Sequence, residues 1–295
     1  MTTLRTYAKI NLGLRILQQR SDGFHNIETI FHRVHPFDDL TLEHSPAILL
    51  KSDVPYLPVD ERNLCVRAAQ LLQKHAGVRD GVSISLQKNI PVGAGLGGGS
   101  SDAAATLLGL TKLWNLTLTQ NELLDIALRI GSDVPYFLQS GSAYATGRGE
   151  ILEYFDFTLP YWIVVAYPDV HVSTAWAYRS LHDPTLKHKP DFTPEIQATS
   201  LKQILLENIN APEKLNVLLH NDFEPVVLHK YESIAFTKVS MYAAGAVFAQ
   251  MSGSGSAVYG LFADEATATA AMQKLGTRCK VFLTPTNFTG SSREL

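Results

Sequence analysis

The stretch Pro91-Val92-Gly93-Ala94-Gly95-Leu96-Gly97-Gly98-Gly99-Ser100-Ser101-Asp102 is the most informative part of this sequence. Five of its twelve residues are glycine. The alternating run 82–86 before it predicts a strand, and the alanine-rich run 103–108 after it predicts a helix. A strand, a glycine-rich loop and a helix N-terminus together are typical of phosphate binding, because the loop and the helix end present free N–H groups to an anion. A tight structural turn would not need five glycines.

The composition is that of an ordinary globular protein of 295 residues, 45% hydrophobic and 18% charged, which predicts one large or two modest domains. A formal net charge of −3 makes nucleic acid a poor candidate for the partner. The two cysteines, Cys65 and Cys279, offer neither a disulfide framework nor metal-ligand spacing. Because no signal-like region opens the chain and no apolar run approaches ~20 residues, we expect a cytoplasmic protein without a membrane segment.

The first strand pattern covers residues 4–18 and carries two polar side chains on one face. Lys9 and Asn11 alternate with the apolar Ala8, Ile10 and Leu12. The pattern alone favours a solvent-exposed polar face. The polar turn that follows ends in Phe24 and His25, which are either a hydrophobic plug with a surface imidazole or a base-stacking ring with a hydrogen-bonding imidazole.

The remaining periodicities and turn signals predict the other elements. Strands are expected at 41–43, 141–154, 161–167, 246–251, 257–262 and 279–283. Helices are expected at 63–75 with Gly77 as its C-cap, at 120–129 with a Thr119/Glu122 capping box, and at 200–207, 223–243 and 264–275. Residues 183–196 contain three prolines and predict a loop or linker.

Three polar features allow more than one interpretation from the residues alone. Asp133 precedes apolar residues and a proline, so it fits a helix N-cap, while a carboxylate held in a cleft could accept a proton. Arg148 stands between two glycines and is either a phosphate contact or a turn residue. The second glycine loop, Ser252-Gly253-Ser254-Gly255-Ser256, is either a plain hairpin turn or a second wall of the phosphate site.

Common phosphate-binding motifs fit the main glycine stretch poorly. Gly93-x-Gly95-x-x-Gly98 matches the dinucleotide fingerprint, but Pro91 interrupts the strand before it and no ribose-binding acid follows near Leu113. A P-loop would need Gly-Lys-Ser or Gly-Lys-Thr, whereas this chain has Gly-Ser-Ser. The protein-kinase motifs His-Arg-Asp and Asp-Phe-Gly are missing from the sequence.

Five motifs resemble those of the GHMP kinase superfamily and follow its order along the chain. They are Ala8-Lys9-Ile10-Asn11-Leu12, Arg20-x-Asp22-Gly23-Phe24-His25, the stretch from Ala94 to Ala104, Gly131-Ser132-Asp133-Val134-Pro135 and Met251-Ser252-Gly253-Ser254-Gly255-Ser256. Two small departures are Phe24, where tyrosine is frequent, and Ser132, where alanine is frequent. The resemblance implies an α+β fold of two domains, residues 1–155 and 156–295, with the site in the cleft between them. The first would be ribosomal-protein-like and bind ATP, and the second ferredoxin-like and bind the substrate.

The resemblance also implies roles for individual residues. Lys9 and Asp133 would be the catalytic pair, and the loop from Pro91 to Ser101 would bind the triphosphate of ATP. The residues expected to bind the substrate are Asn11, Phe24, His25, Thr174 and Tyr178. Magnesium is expected with ATP, but the sequence does not assign its ligands.

The implied partner is a small cytidine-diphosphate substrate, because Phe24 and His25 suit a cytosine base, and the implied assembly is a monomer or weak homodimer. The alternatives are another GHMP small-molecule kinase such as homoserine kinase, a nucleotide-binding module without catalysis, and a hydride-transfer enzyme. The presence of both Lys9 and Asp133 speaks against a module without catalysis.

Overall fold

A long antiparallel hairpin organises the first sheet of the computed structural model, which describes residues 1–181, 196 and 198–290. Its strands pair from Thr2 opposite Leu42 to Gln19 opposite His25. The sheet has the order β3-β4-β2-β5-β6, with β1 paired to β2. Its strands are β1 (Thr2–Gln19), β2 (His25–Ser45), β3 (Leu49–Ser52), β4 (Gly81–Gln87), β5 (Ser142–Thr146) and β6 (Ile151–Phe155).

The second sheet is antiparallel and has the order β10-β7-β9-β8. Its strands are β7 (Trp162–Tyr167), β8 (Phe248–Met251), β9 (Val258–Phe262) and β10 (Lys280–Thr284). The described residues change from one sheet to the other between Phe155 and Trp162. A division of the chain at residues 155 and 156 stays a prediction.

Two helices of the described residues carry the caps that the sequence predicted. The helices are α1 (Leu64–Ala76), α2 (Gly98–Leu113), α3 (Gln120–Ile130), a short 3-10 helix (Pro135–Leu138), α4 (Thr174–Ser180), α5 (Leu201–Asn208), α6 (Pro212–Leu218), α7 (Glu224–Lys230), α8 (Glu232–Ala243) and α9 (Glu265–Leu275). Gly77 ends α1 in the left-handed region, at φ 66°, and Thr119 forms the capping box of α3 with Glu122. Both predicted caps are therefore confirmed.

Several predicted boundaries are wrong. The strand expected at 41–43 is the end of the 21-residue β2, whose buried polar side chains hide its length from a pattern search. The helix expected to start after Asp102 begins at Gly98, and the helix expected over 223–243 divides at Tyr231. The extended segment 141–154 is two strands joined by a turn. The loop or linker expected at 183–196 lies, except for residue 196, outside the described residues.

The core lies in three layers of buried apolar side chains. The first layer lies between the first sheet and α1 to α3. In the second, Ala8, Ile10 and Leu12 of β1 pack towards the second sheet, and all three are fully buried. The third layer lies on the other side of the second sheet, against helices that include α8 and α9. Because β1 is covered on both faces, the solvent-exposed face expected for Lys9 and Asn11 is wrong, and these two side chains are buried.

A buried lysine fixes both ends of the glycine stretch to β2. The Lys88 ammonium donates to Asp38 on β2 and, at 2.8 Å, to Asp102 in the first turns of α2. The other oxygen of the Asp38 carboxylate accepts the backbone N–H groups of Asn89 and Ile90, at 2.6 and 2.8 Å. Burial opposes the charge of Lys88, but the two carboxylates outweigh it and raise the pKa of this lysine.

We expect Lys88→Met to lower the free energy of unfolding by about 3–5 kcal/mol at pH 7, because it leaves the carboxylates of Asp38 and Asp102 buried without a cation. A carboxyl buried without a cation has a raised pKa, so it takes up a proton as the pH falls and its burial then costs less. The difference from wild type should therefore shrink at pH 4. Urea unfolding at both pH values measures it, and a difference that is equal or larger at pH 4 would contradict the expectation.

Candidate active site

Lys9 brings the predicted catalytic and loop residues together. Its ammonium lies 3.6 Å from a carboxylate oxygen of Asp133 and donates to the side-chain oxygen of Asn11 at 2.6 Å. It also donates to the carbonyl oxygen of Gly95 at 3.2 Å, while its backbone N–H donates to the carbonyl of Leu96 at 2.9 Å. One lysine therefore contacts the candidate base, the candidate substrate-binding amide and the glycine loop.

The electrostatic state of Lys9 follows from its burial. Only 4% of the residue is exposed, whereas about a third of the Asp133 side chain is open to the cleft. Burial lowers the pKa of Lys9 from its ordinary value, and the charge and hydrogen bonding of Asp133 partly oppose that shift. An ammonium in such surroundings interacts strongly with any charge that develops beside it, because little water screens it.

Asp133 does not cap a helix, so the N-cap interpretation is wrong. The short helix that follows begins at Pro135, and its N-cap position is Val134, without a side-chain hydrogen bond. The chain around it is held by the buried Arg33, which donates to the carbonyls of Phe137 and Gln139 at 3.1 and 2.6 Å. The Asp133 carboxylate is thereby left to face Lys9.

The two glycine loops contact each other. The Ser252 hydroxyl donates to the carbonyl of Gly95 at 2.9 Å, and the N–H of Ala257 donates to the carbonyl of Ala94 at 3.0 Å. Gly95 has a φ of 78°, and a Cβ atom there would lie 2.2 Å from the carbonyl oxygen of Ser252. The second loop is therefore both a hairpin turn between β8 and β9 and a wall of the site.

Two cavities meet at the main glycine loop. The central cavity, of about 390 Å³, is lined by Lys9, Asn11, Asp133, Arg148 and alternate glycines of the main loop. On the other side of that loop, a second cavity of about 310 Å³ is lined by every residue from Pro91 to Ser100. Ser101 lies buried below this surface.

A third cavity, of about 500 Å³, is lined by Phe24, His25, Thr174 and Tyr178. It shares Thr174 and Tyr178 with the central cavity. The three cavities therefore form a continuous series of binding surfaces.

The aromatic end of the site differs in detail from the expected arrangement. The His25 ring stacks on Tyr178 with centroids 4.9 Å apart and planes 18° apart. Phe24 is 53% exposed, so it is not a hydrophobic plug, and its ring lies 4.8 Å from the guanidinium of Arg148. Burial raises the pKa of Tyr178 to about 12, which leaves its phenol neutral. The Thr174 hydroxyl lies 2.8 Å from that of Ser254 in the second glycine loop.

Several residues that shape the site carry no signal in the sequence. Asn221 donates to the carbonyls of Met251 and Gly253, at 2.8 Å each, and so holds the second glycine loop. Arg33, Asp38 and Lys88 also position loops without belonging to a motif. Their function depends on partners far away in sequence, which no local pattern shows.

Across 1–181, 196 and 198–290, no group of three or more histidine, cysteine, aspartate or glutamate side chains is arranged to hold a metal ion. None of the helices described above is both long enough and apolar enough to cross a membrane.

Two family models match the chain. The GHMP kinase N-terminal domain model matches residues 63–141, and the GHMP kinase C-terminal model matches residues 200–281. Two proteins named 4-diphosphocytidyl-2-C-methyl-D-erythritol kinase, from Prosthecochloris aestuarii and Chlorobaculum tepidum, are each 42% identical to this chain over 289 residues. Each alignment covers 97% of this chain and 98% of the relative.

Solved structures of kinases share the fold of this chain. A crystal structure of 4-(cytidine 5'-diphospho)-2C-methyl-D-erythritol kinase is 32% identical, with a TM-score of 0.79 over 97% of this chain and 99% of that one. A homoserine kinase from Cytophaga hutchinsonii has a TM-score of 0.72 at 18% identity over 100% of this chain and 98% of that one. At that identity the likeness shows the fold alone.

We expect Gly95→Ala to destabilise the protein more than Gly77→Ala, a control glycine at the end of α1. Both have a left-handed φ, which costs a side chain about 1–2 kcal/mol. Only at Gly95 would the new methyl group meet another loop, and this overpacking adds about 1–3 kcal/mol. Turnover should fall about 100-fold in the first variant only, because the loops would be displaced by about 1 Å. Urea unfolding and an ATP turnover assay measure both effects; equal losses in the two variants would show that contact between the loops is unimportant.

Proposed function

The chain belongs to the GHMP kinases and, within them, to the 4-diphosphocytidyl-2-C-methyl-D-erythritol kinases, and on this premise we propose which residues carry its reaction. The α+β GHMP kinase fold is confirmed by the family models and by the solved relative. The protein is a kinase that transfers the γ-phosphoryl group of ATP to the 2-hydroxyl of 4-diphosphocytidyl-2-C-methyl-D-erythritol, in the non-mevalonate isoprenoid precursor pathway.

One observation carries the assignment of the catalytic pair. Lys9 lies 3.6 Å from Asp133 and simultaneously contacts the carbonyl of Gly95 in the glycine loop. In the proposed mechanism Asp133 orients the substrate hydroxyl and takes up its proton. Lys9 keeps Asp133 in place and stabilises the negative charge that develops between the hydroxyl oxygen and the γ-phosphate. Positioning and charge stabilisation of this kind supply most of the catalysis in phosphoryl transfer.

The loop from Pro91 to Ser101 is proposed to bind the triphosphate of ATP. Its glycines at 93, 95 and 97 have φ values of 70°, 78° and 70°, which bring the backbone close to a ligand without side chains in between. Gly98 begins α2, whose free N–H groups and dipole favour an anion. We propose that the nucleoside part of ATP occupies the cavity lined by residues 91–100.

Magnesium is proposed to enter with ATP. The described residues contain no ligand cluster for a protein-held metal, which suits a cation that takes most of its ligands from phosphate oxygens and water. Ser100, which lines the cavity behind the loop, would be its contact with the protein. The cation would neutralise charge on the phosphates.

The third cavity is proposed to hold the cytosine base. Phe24 offers an exposed ring face, and the stacked pair of His25 and Tyr178 offers a second aromatic surface. Stacking of a base on an aromatic ring contributes about 1–3 kcal/mol. Asn11 would bind the substrate near the reacting hydroxyl, and Thr174 lies between the two ends. The location of the protein in the cytoplasm and its assembly as a monomer or weak homodimer stay predictions.

A panel of substrates tests the proposed function. With ATP and magnesium, we expect turnover of 4-diphosphocytidyl-2-C-methyl-D-erythritol and none of homoserine or mevalonate, because only the first carries a base for the aromatic end. A coupled assay for ADP measures all three. Turnover of homoserine or mevalonate without turnover of the cytidyl compound would sink the proposal.

We expect Asp133→Ala to lose at least ~100-fold in kcat while ATP affinity changes little, since a general base contributes about 100-fold or more. The matched control is Asp125→Ala, which removes an exposed aspartate from α3. Steady-state kinetics measure kcat, and calorimetric titration of ATP without the acceptor substrate measures the affinity. Near-wild-type turnover of the Asp133 variant would remove this residue from the mechanism.

A further inference from the structure

Arg148 lies in the tight turn between β5 and β6, and this turn is held against the catalytic site. Both neighbours of Arg148 are glycines in the left-handed region, with φ values of 68° and 106°. The carbonyl of Gly147 accepts the N–H of Ile27 at 2.6 Å, which ties the turn to the start of β2. A Cβ atom at Gly149 would lie 3.7 Å from a carboxylate oxygen of Asp133. The backbone around Arg148 is therefore fixed between the base end and the catalytic carboxylate.

Arg148 belongs both to the aromatic end of the cleft and to its central cavity. Its guanidinium lies 4.8 Å from the centroid of the Phe24 ring, at the aromatic end. The same residue lines the central cavity together with Lys9 and Asp133. A cation at this point faces a ligand that spans both cavities.

The hydrogen-bonding capacity of this guanidinium is unused. Its Nε atom lies 3.5 Å from a carboxylate oxygen of Glu150, but it is buried without a hydrogen-bond partner. The other carboxylate oxygen of Glu150 accepts the backbone N–H of Arg148 instead. In the described part of the chain, the guanidinium donates no hydrogen bond at all. A planar fork of five N–H donors close to a cavity is suited to a phosphate group.

We propose that Arg148 binds the diphosphate of the nucleotide substrate and so sets the distance between its base and its reacting hydroxyl. This inference rests on the proposed function, because that substrate joins a cytidine to a polyol through a diphosphate. With the base at Phe24 and the hydroxyl at Asp133, the diphosphate lies between them, where the Arg148 guanidinium stands. Arg148 is thus a specificity-determining residue for nucleoside diphosphates.

Neighbouring arginines are less suited to this role. The guanidinium of Arg20 already donates to Asp22 at 3.1 Å and to Asn26 at 3.3 Å. Arg179 lines the third cavity only. A purely supporting role for Arg148, in which it only holds the Phe24 ring, predicts a different outcome from phosphate binding, so the two can be separated by experiment.

The experiment titrates cytidine and CDP into the wild-type protein, Arg148→Met and Arg148→Lys, with saturating ADP and magnesium to occupy the donor site. We expect wild type to bind CDP about 10-fold more tightly than cytidine, the scale of a hydrogen bond to a charged group. Arg148→Met should abolish this difference while its affinity for cytidine stays within about 2-fold of wild type. Arg148→Lys should retain part of it, because the charge remains but the fork is lost.

The matched control is Arg278→Met. Arg278 lies 5.2 Å from the ring of Phe236, in the same kind of contact, but beside α8 and α9 rather than in the cleft. We expect this variant to bind cytidine and CDP like wild type. In turnover, Arg148→Met should raise KM for the cytidyl substrate about 10-fold and leave KM for ATP unchanged.

Each contrary result has a distinct meaning. An equal loss of cytidine and CDP affinity in Arg148→Met would show that Arg148 only supports Phe24, and weaker ADP binding would assign it to the donor site; either result overturns the inference. A CDP preference that persists in Arg148→Met overturns the inference about Arg148 but leaves the proposed substrate standing. Wild type that binds neither cytidine nor CDP would overturn the proposed substrate and the inference with it.

Discussion

The buried ammonium of Lys9 is the interaction on which the site depends. A cation that is 4% exposed is tolerated only when oxygen atoms surround it, and Asn11, Gly95 and Asp133 supply them. These three residues come from β1, from the glycine loop and from the segment before the short helix. The need to satisfy one charge therefore fixes three separate parts of the chain relative to one another. Because little water surrounds the Lys9 ammonium, burying its charge costs free energy. For the same reason this charge interacts strongly with a phosphate placed beside it.

The position of Lys9 follows from the alternation of side chains along β1. Its neighbours Ala8 and Ile10 face the second sheet, so Lys9 faces the glycine loop, and both faces of the strand are covered. A strand buried on both faces normally reads as a continuous apolar run. The polar residues of β1 break this rule, so the alternation along the strand predicts wrongly that they are exposed to solvent. Partners that are distant in sequence are what allow them to be buried.

Local signals predicted elements well and long-range partners poorly. The capping box at Thr119 and the C-cap at Gly77 were predictable, because each depends on a few adjacent residues. The length of β2 was not predictable, since buried polar residues interrupt its pattern. The motif resemblance named the candidate site residues, and the structure brings all of them except the buried Ser101 into adjoining cavities, but their roles stay proposals. The ion pairs of Lys88 with Asp38 and Asp102 could not be predicted from the sequence, because the two carboxylates lie 50 and 14 residues away along the chain.

The cationic side chains around the site differ in how many hydrogen-bond acceptors they already contact, and this difference decides what each can do. Lys88 is held by two carboxylates, so its charge is more than balanced and it can serve only to fix the loop. Lys9 contacts one carboxylate and two neutral oxygens, so fewer anionic groups balance its charge than balance that of Lys88. Arg148 has a carboxylate nearby but donates to none of its oxygens from the guanidinium, and it is the most exposed of the three side chains. The guanidinium of Arg148 can therefore donate to an anion in the cleft without losing a hydrogen bond to the protein, whereas the Lys9 ammonium is already shared among Asn11, Gly95 and Asp133.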